Sequence, residues 1–161
     1  MAAPKKPKEA DDIVSICRNK RALHDYEIFE TLECGLVLTG TEVKSLREHA
    51  ASLEEAYAKI EGRELWLIGS DIPEYTMGNR LNHKPKRPRK LLLHKREIDK
   101  FAGKASQQGY TLIPLRLYFK QGRAKIEIAV ARGKKVYDKR ETKKKAEAAR
   151  EIRKAMKDRR R

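Results

Sequence analysis

The sequence predicts a mainly β protein: a small antiparallel barrel with about three peripheral helices and a basic C-terminal tail. Three observations lead there. Apolar and polar residues alternate over several separate stretches, the period of a strand with one face buried. Short Gly-containing turns join these stretches in pairs, as hairpins require. Beyond Gly133 the apolar content collapses, and 14 basic residues stand against 5 acidic ones. A length of 161 residues allows one domain with a tail and excludes a large multidomain enzyme.

Residues 1–12 are rich in Lys, Pro and Ala, lack the apolar stretch of a signal peptide and read as a disordered leader. The domain is expected over residues 13–132; the pattern leaves open whether residues 12–17 join the barrel. Tyr26, Ile28, Leu32, Cys34, Leu36 and Leu38 share one parity, with Glu27, Thr31, Glu33 and Gly35 on the other. This is a long half-buried strand, expected to bend at Gly35. Thr39-Gly40-Thr41 turns the chain, and Thr41 is the expected cap of a short helix over residues 42–49. Val43 and Leu46 face inward on that helix, while Lys44 and Arg47 share another face.

Residues 53–60 alternate again, residues 61–64 form a hairpin loop, and residues 65–68 return as a strand apolar on both faces, hence central. Residues 73–88 lack periodicity and read as a long polar loop, a length usually tied to function or disorder. A helix is expected over roughly residues 92–108, with Ile98, Phe101, Ala102 and Ala105 as its apolar stripe and Gly109 as its stop. Residues 110–120 form a strand with Pro114 at an edge or bulge. Residues 121–123 turn, and residues 124–131 complete a second hairpin through Ile126, Ile128 and Val130. In the tail, residues 133–161, helix formers dominate, but only Val136, Tyr137, Ile152 and Met156 are large and apolar. Such a segment is expected to be disordered when free and helical against an acidic surface.

The formal charge of +16 is unevenly placed. Residues 80–96 hold eight basic residues and no acid, the tail adds +9, and the remainder is nearly neutral. Two cationic segments on a near-neutral body favour a polyanionic partner, which relieves their self-repulsion. No run approaches the length of a membrane-spanning helix. Cys17 and Cys34 lack zinc-site spacing and read as reduced thiols of a cytoplasmic protein, Cys34 as ordinary core.

Catalytic signatures are missing. His24, His49, His83 and His94 show no ligand spacing, and no nucleophile elbow, metalloprotease, phosphate-loop or dinucleotide motif occurs. His24 and Asp25, read as neighbours near a strand start, point to opposite faces and make poor co-ligands. The pattern points to a binding protein rather than an enzyme, without metal or cofactor. For RNA the useful groups are cations for phosphates and aromatics for bases. Three sets qualify: Asn19-Lys20-Arg21 with His24; the 80–96 segment, including Arg89 and Lys90; and Arg132 with Lys134 and Lys135, running into the tail.

At these residues the sequence resembles the SsrA-binding protein family, also called small protein B. The resemblance rests on five blocks in order: residues 19–26 (NKRALHDY), 40–47 (GTEVKSLR), 89–94 (RKLLLH), 118–120 (YFK) and 131–140 (ARGKKVYDKR). It implies an oligonucleotide-binding-like antiparallel barrel. It also implies an RNA-binding adaptor that binds the tRNA-like domain of transfer-messenger RNA (tmRNA). The adaptor delivers that RNA to stalled ribosomes for trans-translation, tagging the nascent chain for proteolysis. Glu33 and Lys125 match positions associated with the tRNA-like contact, as do the segments around His24 and Lys44. The tail is implied to enter the mRNA channel of the small subunit. Tyr137, Asp138, Lys139 and Arg140 match the block near the decoding centre and its rRNA.

Ile152 and Met156 are expected to anchor the tail helix, though Ala155 stands where some members carry a bulkier aliphatic residue. Glu33 lies on the polar side of its strand, suited to accept a hydrogen bond from a base edge or 2′-hydroxyl, or to orient a lysine; an ordinary exposed strand glutamate is the plainer reading. The free protein is expected to be monomeric. An rRNA-binding ribosomal or assembly protein is the competing reading, which composition alone does not separate.

Overall fold

A computed structural model describes residues 13–158, the side chains of Tyr137 and Asp158 excepted. The expected leader and residues 159–161 of the tail lie outside the described residues. The alternating stretches become antiparallel strands. β1 (Ile13–Arg18), β2 (Tyr26–Leu36), β3 (Tyr57–Glu61), β4 (Glu64–Ile68), β5 (Arg89–Leu92), β6 (Tyr110–Lys120) and β7 (Arg123–Gly133) form one sheet in the order β1-β6-β3-β4-β5-β2-β7. β6 also pairs with β7, so the pairing from β6 through β3, β4, β5, β2 and β7 returns to β6. β1 therefore joins the sheet, along the same edge of β6 that meets β3 at Ala58↔Leu112.

The two hairpins form as the pattern predicts. Gly62 (φ 61) turns β3 into β4, and Gln121 (φ 50) with Gly122 (φ 73) turns β6 into β7; two positive φ values in succession match the right-handed twist of the strands. β4 lies between β3 and β5, burying Leu65 and Leu67. The register of β6 shifts between Pro114 and Arg116, so the proline marks a bulge. β2 departs from expectation. Its register shift lies between Ile28 and Glu30, making Phe29 the extra residue. Gly35 instead lets a neighbour in: a Cβ there would sit 3.3 Å from Leu92 Cβ, where β2 pairs with both β5 and β7.

Among the described residues four helices accompany the sheet: α1 (Lys20–Asp25), α2 (Gly40–Arg47), α3 (Lys95–Ala105) and α4 (Val136–Asp158). α1 replaces the expected strand start, capped by Asn19, whose Oδ1 accepts from Ala22 N at 3.0 Å. α2 begins a residue pair earlier than expected, with Thr39 rather than Thr41 at the cap. Glu42 explains this, reaching back to accept from Thr39 N at 2.8 Å. α3 starts at Lys95 instead of residue 92 because residues 89–92 pair with β4 and β2 as β5. Ile98 and Phe101 of α3 are buried as the stripe requires. Burial raises the free thiol of Cys17 to about 11 and that of Cys34 to about 12, so neither is a nucleophile.

One buried ion cluster fastens α2, β5 and the long loop between β4 and β5. Glu42 and Arg89 are each 0% exposed in their side chains. Arg89 donates from Nε to Glu42 Oε1 (2.9 Å), from Nη1 to Ser70 O and Oγ (both 2.9 Å) and Arg87 O (3.1 Å), and from Nη2 to Pro85 O (2.9 Å). Arg87 donates to the same carboxylate from Nε at 2.7 Å and from Nη2. Burial alone would raise the Glu42 carboxyl, but bonds from Arg87 and Thr39 and the charge of Arg89 hold it below the ordinary 4.5. His83 secures the loop further, donating from Nε2 to Ile72 O at 2.9 Å while Nδ1 meets Thr41 Oγ1 at 2.9 Å.

Glu42→Gln leaves two guanidinium groups short of their counter-charge, one fully buried, and is expected to cost about 3–5 kcal/mol in urea unfolding. Glu55→Gln, at an exposed pair with Lys86, is expected to cost under about 0.5 kcal/mol. Because the Glu42 pKa is depressed, its contribution is present above 4.5 and lost as pH falls through the folded value. The stability difference between wild type and Glu42→Gln should therefore shrink on acidification.

Candidate nucleic-acid interface

The β2–β7 ladder fixes where the candidate residues sit. It runs from Tyr26↔Gly133 at one end to Gly35↔Lys125 at the other. Nine residues of strand span roughly 30 Å.

At the Lys125 end, Glu33, Tyr118, Lys120 and Lys125 meet on the outer face. Tyr118 donates its phenol to Glu33 Oε2; Lys120 Nζ lies 3.6 Å and Lys125 Nζ 4.0 Å from the same carboxylate. Glu33 faces Glu127 directly across the ladder, a repulsive placement. Arg116 relieves it by donating to Glu127, with its guanidinium 4.8 Å from the Tyr118 ring. The phenol, followed by the two lysine charges, outweighs burial and lowers the Glu33 carboxyl below its ordinary value. A cleft of about 400 Å³ opens beside this cluster, lined by Glu33, Gly35, Leu92, His94, Glu97 and Lys125 among others. It offers acceptors and a cation beside an exposed leucine, fitting a sugar–base edge rather than a phosphate alone.

At the other end stand α1 and the tail root. Lys20 is exposed and Arg21 lines a second cleft of about 300 Å³ with Tyr26 and Tyr57. His24 Nδ1 donates to Asp25 Oδ1 at 2.9 Å, so the two side chains expected to diverge are joined at the helix end. Asp25 also receives Lys139 Nζ at 3.3 Å, and its carbonyl accepts from Lys134 N at 2.9 Å. The bond from His24, then the Lys139 contact, hold the Asp25 carboxyl below its ordinary value. Lys134 Nζ donates to Leu23 O, Lys135 is exposed, and Arg132 is exposed with Nη2 3.5 Å from Glu27 Oε2. Asp138, Arg140, Ile152 and Met156 are exposed along α4. The side chain of Tyr137 lies outside the described residues.

A third group surrounds α2. Lys44 and Arg47 are exposed as predicted, Lys44 with its ammonium 5.3 Å from the Tyr75 ring centre. Lys90 is partly exposed and donates to Glu64.

Two predicted RNA contacts are corrected. Asn19 is 3% exposed, and its Nδ2 donates to Leu53 O and Pro114 O. Arg89 is enclosed by the acceptors named above. Both hold the fold and present nothing to a ligand. The charge of residues 80–96 is also less free than counted, because acids from elsewhere in the chain (Glu42, Glu55 and Glu64) pair with Arg87, Arg89, Lys86 and Lys90. Sequence reading missed Tyr118 and Lys120 as partners of Glu33. The available signal was strand parity, but 85 positions separate the phenol from the carboxylate. Among the described residues no group of three or more His, Cys, Asp or Glu side chains is placed to hold a metal ion.

The SmpB protein family model matches residues 16–158. The chain belongs to the SmpB family. It is 54% identical to the SsrA-binding protein of Thermobifida fusca over 160 residues, 99% of this chain and 100% of that one. It is 56% identical to the SsrA-binding protein of Desulforudis audaxviator over 141 residues, covering 88% and 92%. A solved structure described as "tmRNA-SmpB: a journey to the center of the bacterial ribosome" contains a similar chain. That chain is 48% identical with a TM-score of 0.64, over 74% of this chain and 85% of its own. The fold, a mainly antiparallel sheet with several helices, is similar to that structure. No described helix is long and apolar enough to cross a membrane.

Tyr118→Phe removes the largest cause of the depressed Glu33 pKa. Carboxyl NMR titration should show Glu33 moving up toward 4.5 in that variant. A carboxyl that stays low would assign the effect to Lys120 and Lys125.

Proposed function

We propose that this SmpB-family chain is an RNA-binding adaptor of trans-translation. It grips the tRNA-like domain of tmRNA and carries it to stalled ribosomes, so that the nascent chain is tagged for proteolysis. The observation that carries this reading is the separation along the β2–β7 ladder: the Glu33–Lys125 cleft at one end, the tail root at the other. A molecule holding two RNA surfaces together needs such a division. The closed strand pairing is an oligonucleotide-binding-like barrel in this reading, and residues 13–132 form the RNA-binding unit. Glu33 and Lys125 meet the tRNA-like domain, with Lys20, Arg21, His24, Lys44, Arg47 and Lys90 supplying further contacts.

Arg132, Lys134 and Lys135 lead into the tail. Tyr137, Asp138, Lys139 and Arg140 approach the decoding centre of the small subunit, and the tail helix follows the mRNA channel. Residues 133–161 order against rRNA in this reading: α4 buries none of its described side chains, and helices in proteins draw most of their stability from a packed face. Ile152 and Met156, four apart on one face, anchor it. The adaptor works in the cytoplasm as a monomer, without catalysis or cofactor. Glu33, held by the buried Tyr118, provides shape and hydrogen-bond recognition with Lys125, while the exposed lysines and arginines supply salt-dependent affinity.

A chain ending at Gly133 keeps β7 whole. It should bind the tRNA-like domain within about threefold of the full chain and lose tagging in a reconstituted translation reaction. Loss of binding together with tagging would place the tail in the RNA grip. Charge reversal at Lys20, Arg21 and Lys125 should weaken binding and lower the slope of log K against log salt by about 2 units, as roughly 0.7 to 0.9 is expected per phosphate contact. An unchanged slope would move the grip elsewhere.

A further inference from the structure

The bulge in β2 leaves an exposed aromatic residue without a cross-strand partner. Phe29 is the extra residue between Ile28↔Ala131 and Glu30↔Val130, and it remains 49% exposed. Bulges re-aim side chains and concentrate beside functional sites. Phe29 meets Tyr110 edge to face, with ring centres 5.2 Å apart and planes at 61°. The Arg132 guanidinium lies 5.7 Å from the Phe29 ring centre and 6.0 Å from that of Tyr110. Tyr110 and Arg132 are cross-strand partners, the last pair of the β6–β7 ladder. Two rings and a planar cation thus share one exposed patch.

Aromatic rings and the guanidinium plane are the surfaces on which unpaired RNA bases stack. The local charge permits this. Glu27 pairs with Arg132 and Glu30 with Lys100 and Lys104, so these neighbouring acids of β2 carry their own counter-charges. The path of the chain favours ribosomal RNA, and because α1 at the same end is assigned to the tRNA-like domain, both RNAs enter the test. Arg132 precedes Gly133 and Lys134, and Lys134 N is bonded to Asp25 O at the tail root, far along the ladder from Lys125.

We infer that Phe29, Tyr110 and Arg132 form a stacking platform for an unpaired ribosomal RNA base beside the root of the tail. This rests on the adaptor reading above. The platform is a second ribosome contact, apart from the tail itself. It works through ring faces, so its contribution is nearly independent of salt.

The test measures the affinity of the full-length chain for purified small ribosomal subunits and for the isolated tRNA-like RNA, each at several salt concentrations. Phe29→Ala with Tyr110→Ala should weaken small-subunit binding roughly tenfold with an unchanged salt slope. Binding to the tRNA-like RNA should stay within twofold; Tyr110 also packs against the core, so the single variants at exposed Phe29 carry the readout wherever the double variant melts lower. Phe29→Leu keeps apolar contact but has no ring face, so it should lose affinity, whereas Phe29→Tyr should retain it. Equal small-subunit affinity in all variants overturns the platform while leaving the adaptor reading intact. Loss of tRNA-like RNA binding instead overturns its assignment to ribosomal RNA. A wild-type chain that binds neither RNA overturns both readings.

Discussion

A carboxylate with no access to water organises the surface that this protein presents. Glu42 accepts from Arg87, Arg89 and the Thr39 amide, and through them joins the start of α2, the β4–β5 loop and β5. A buried charge is tolerated only when its partners are complete, and here Arg89 directs its donors to five acceptors. The segments so tied carry Lys44, Arg47 and Lys90. Their positions therefore depend on a fully buried side chain. Packing alone would leave the long loop free to slide; directional bonds to Ser70, Pro85 and Arg87 set its path.

The same cluster shows how far the sequence could be read. Tyr26–Leu36 was legible because its exposure alternates from Tyr26 to Cys34, and Arg123–Gly133 from Ile126, Ile128 and Val130, although Ala129 and Ala131 bury the other face as well. The Gln121-Gly122 turn and the bulge at Pro114 were legible from backbone chemistry. β5 was not: its four residues, Arg89–Leu92, begin with a buried arginine, which no periodicity marks as core. α1 was hidden for a related reason, since six residues offer too few turns for a stripe and its cap, Asn19, reads as an RNA-facing amide. Counting charges along residues 80–96 overstated the free cations, because the compensating acids come from α2, from residue 55 and from β4. Local composition does not reveal pairings closed by topology.

The candidate site divides in the same way. Glu33, Lys44 and Arg47 were identifiable as polar positions on their elements, whereas Lys125 came from the family resemblance. The phenol that governs Glu33 was not, because a cross-sheet bond depends on register. Register also explains why Glu33 and Glu127 tolerate each other as direct neighbours: each has its own donors, Tyr118 and the lysines on one side, Arg116 on the other. A cluster so balanced has little net field. It suits recognition by hydrogen bonding and shape, leaving long-range attraction to the exposed cations elsewhere.

Asp25 links the two functions at the far end of the ladder. One carboxylate oxygen takes both His24 Nδ1 and Lys139 Nζ, while the backbone carbonyl of the same residue holds Lys134 N. α4 has 23 residues and would extend about 35 Å at the helical rise, yet its described side chains are bound to the body only near its root. Such a lever transmits direction only if the joint is fixed. The joint is made from α1, whose Lys20 and Arg21 are candidates for RNA contact. Asp25 seats the root of α4 against the end of α1 through its side chain and its backbone carbonyl together, and Lys134 adds a bond to Leu23 O.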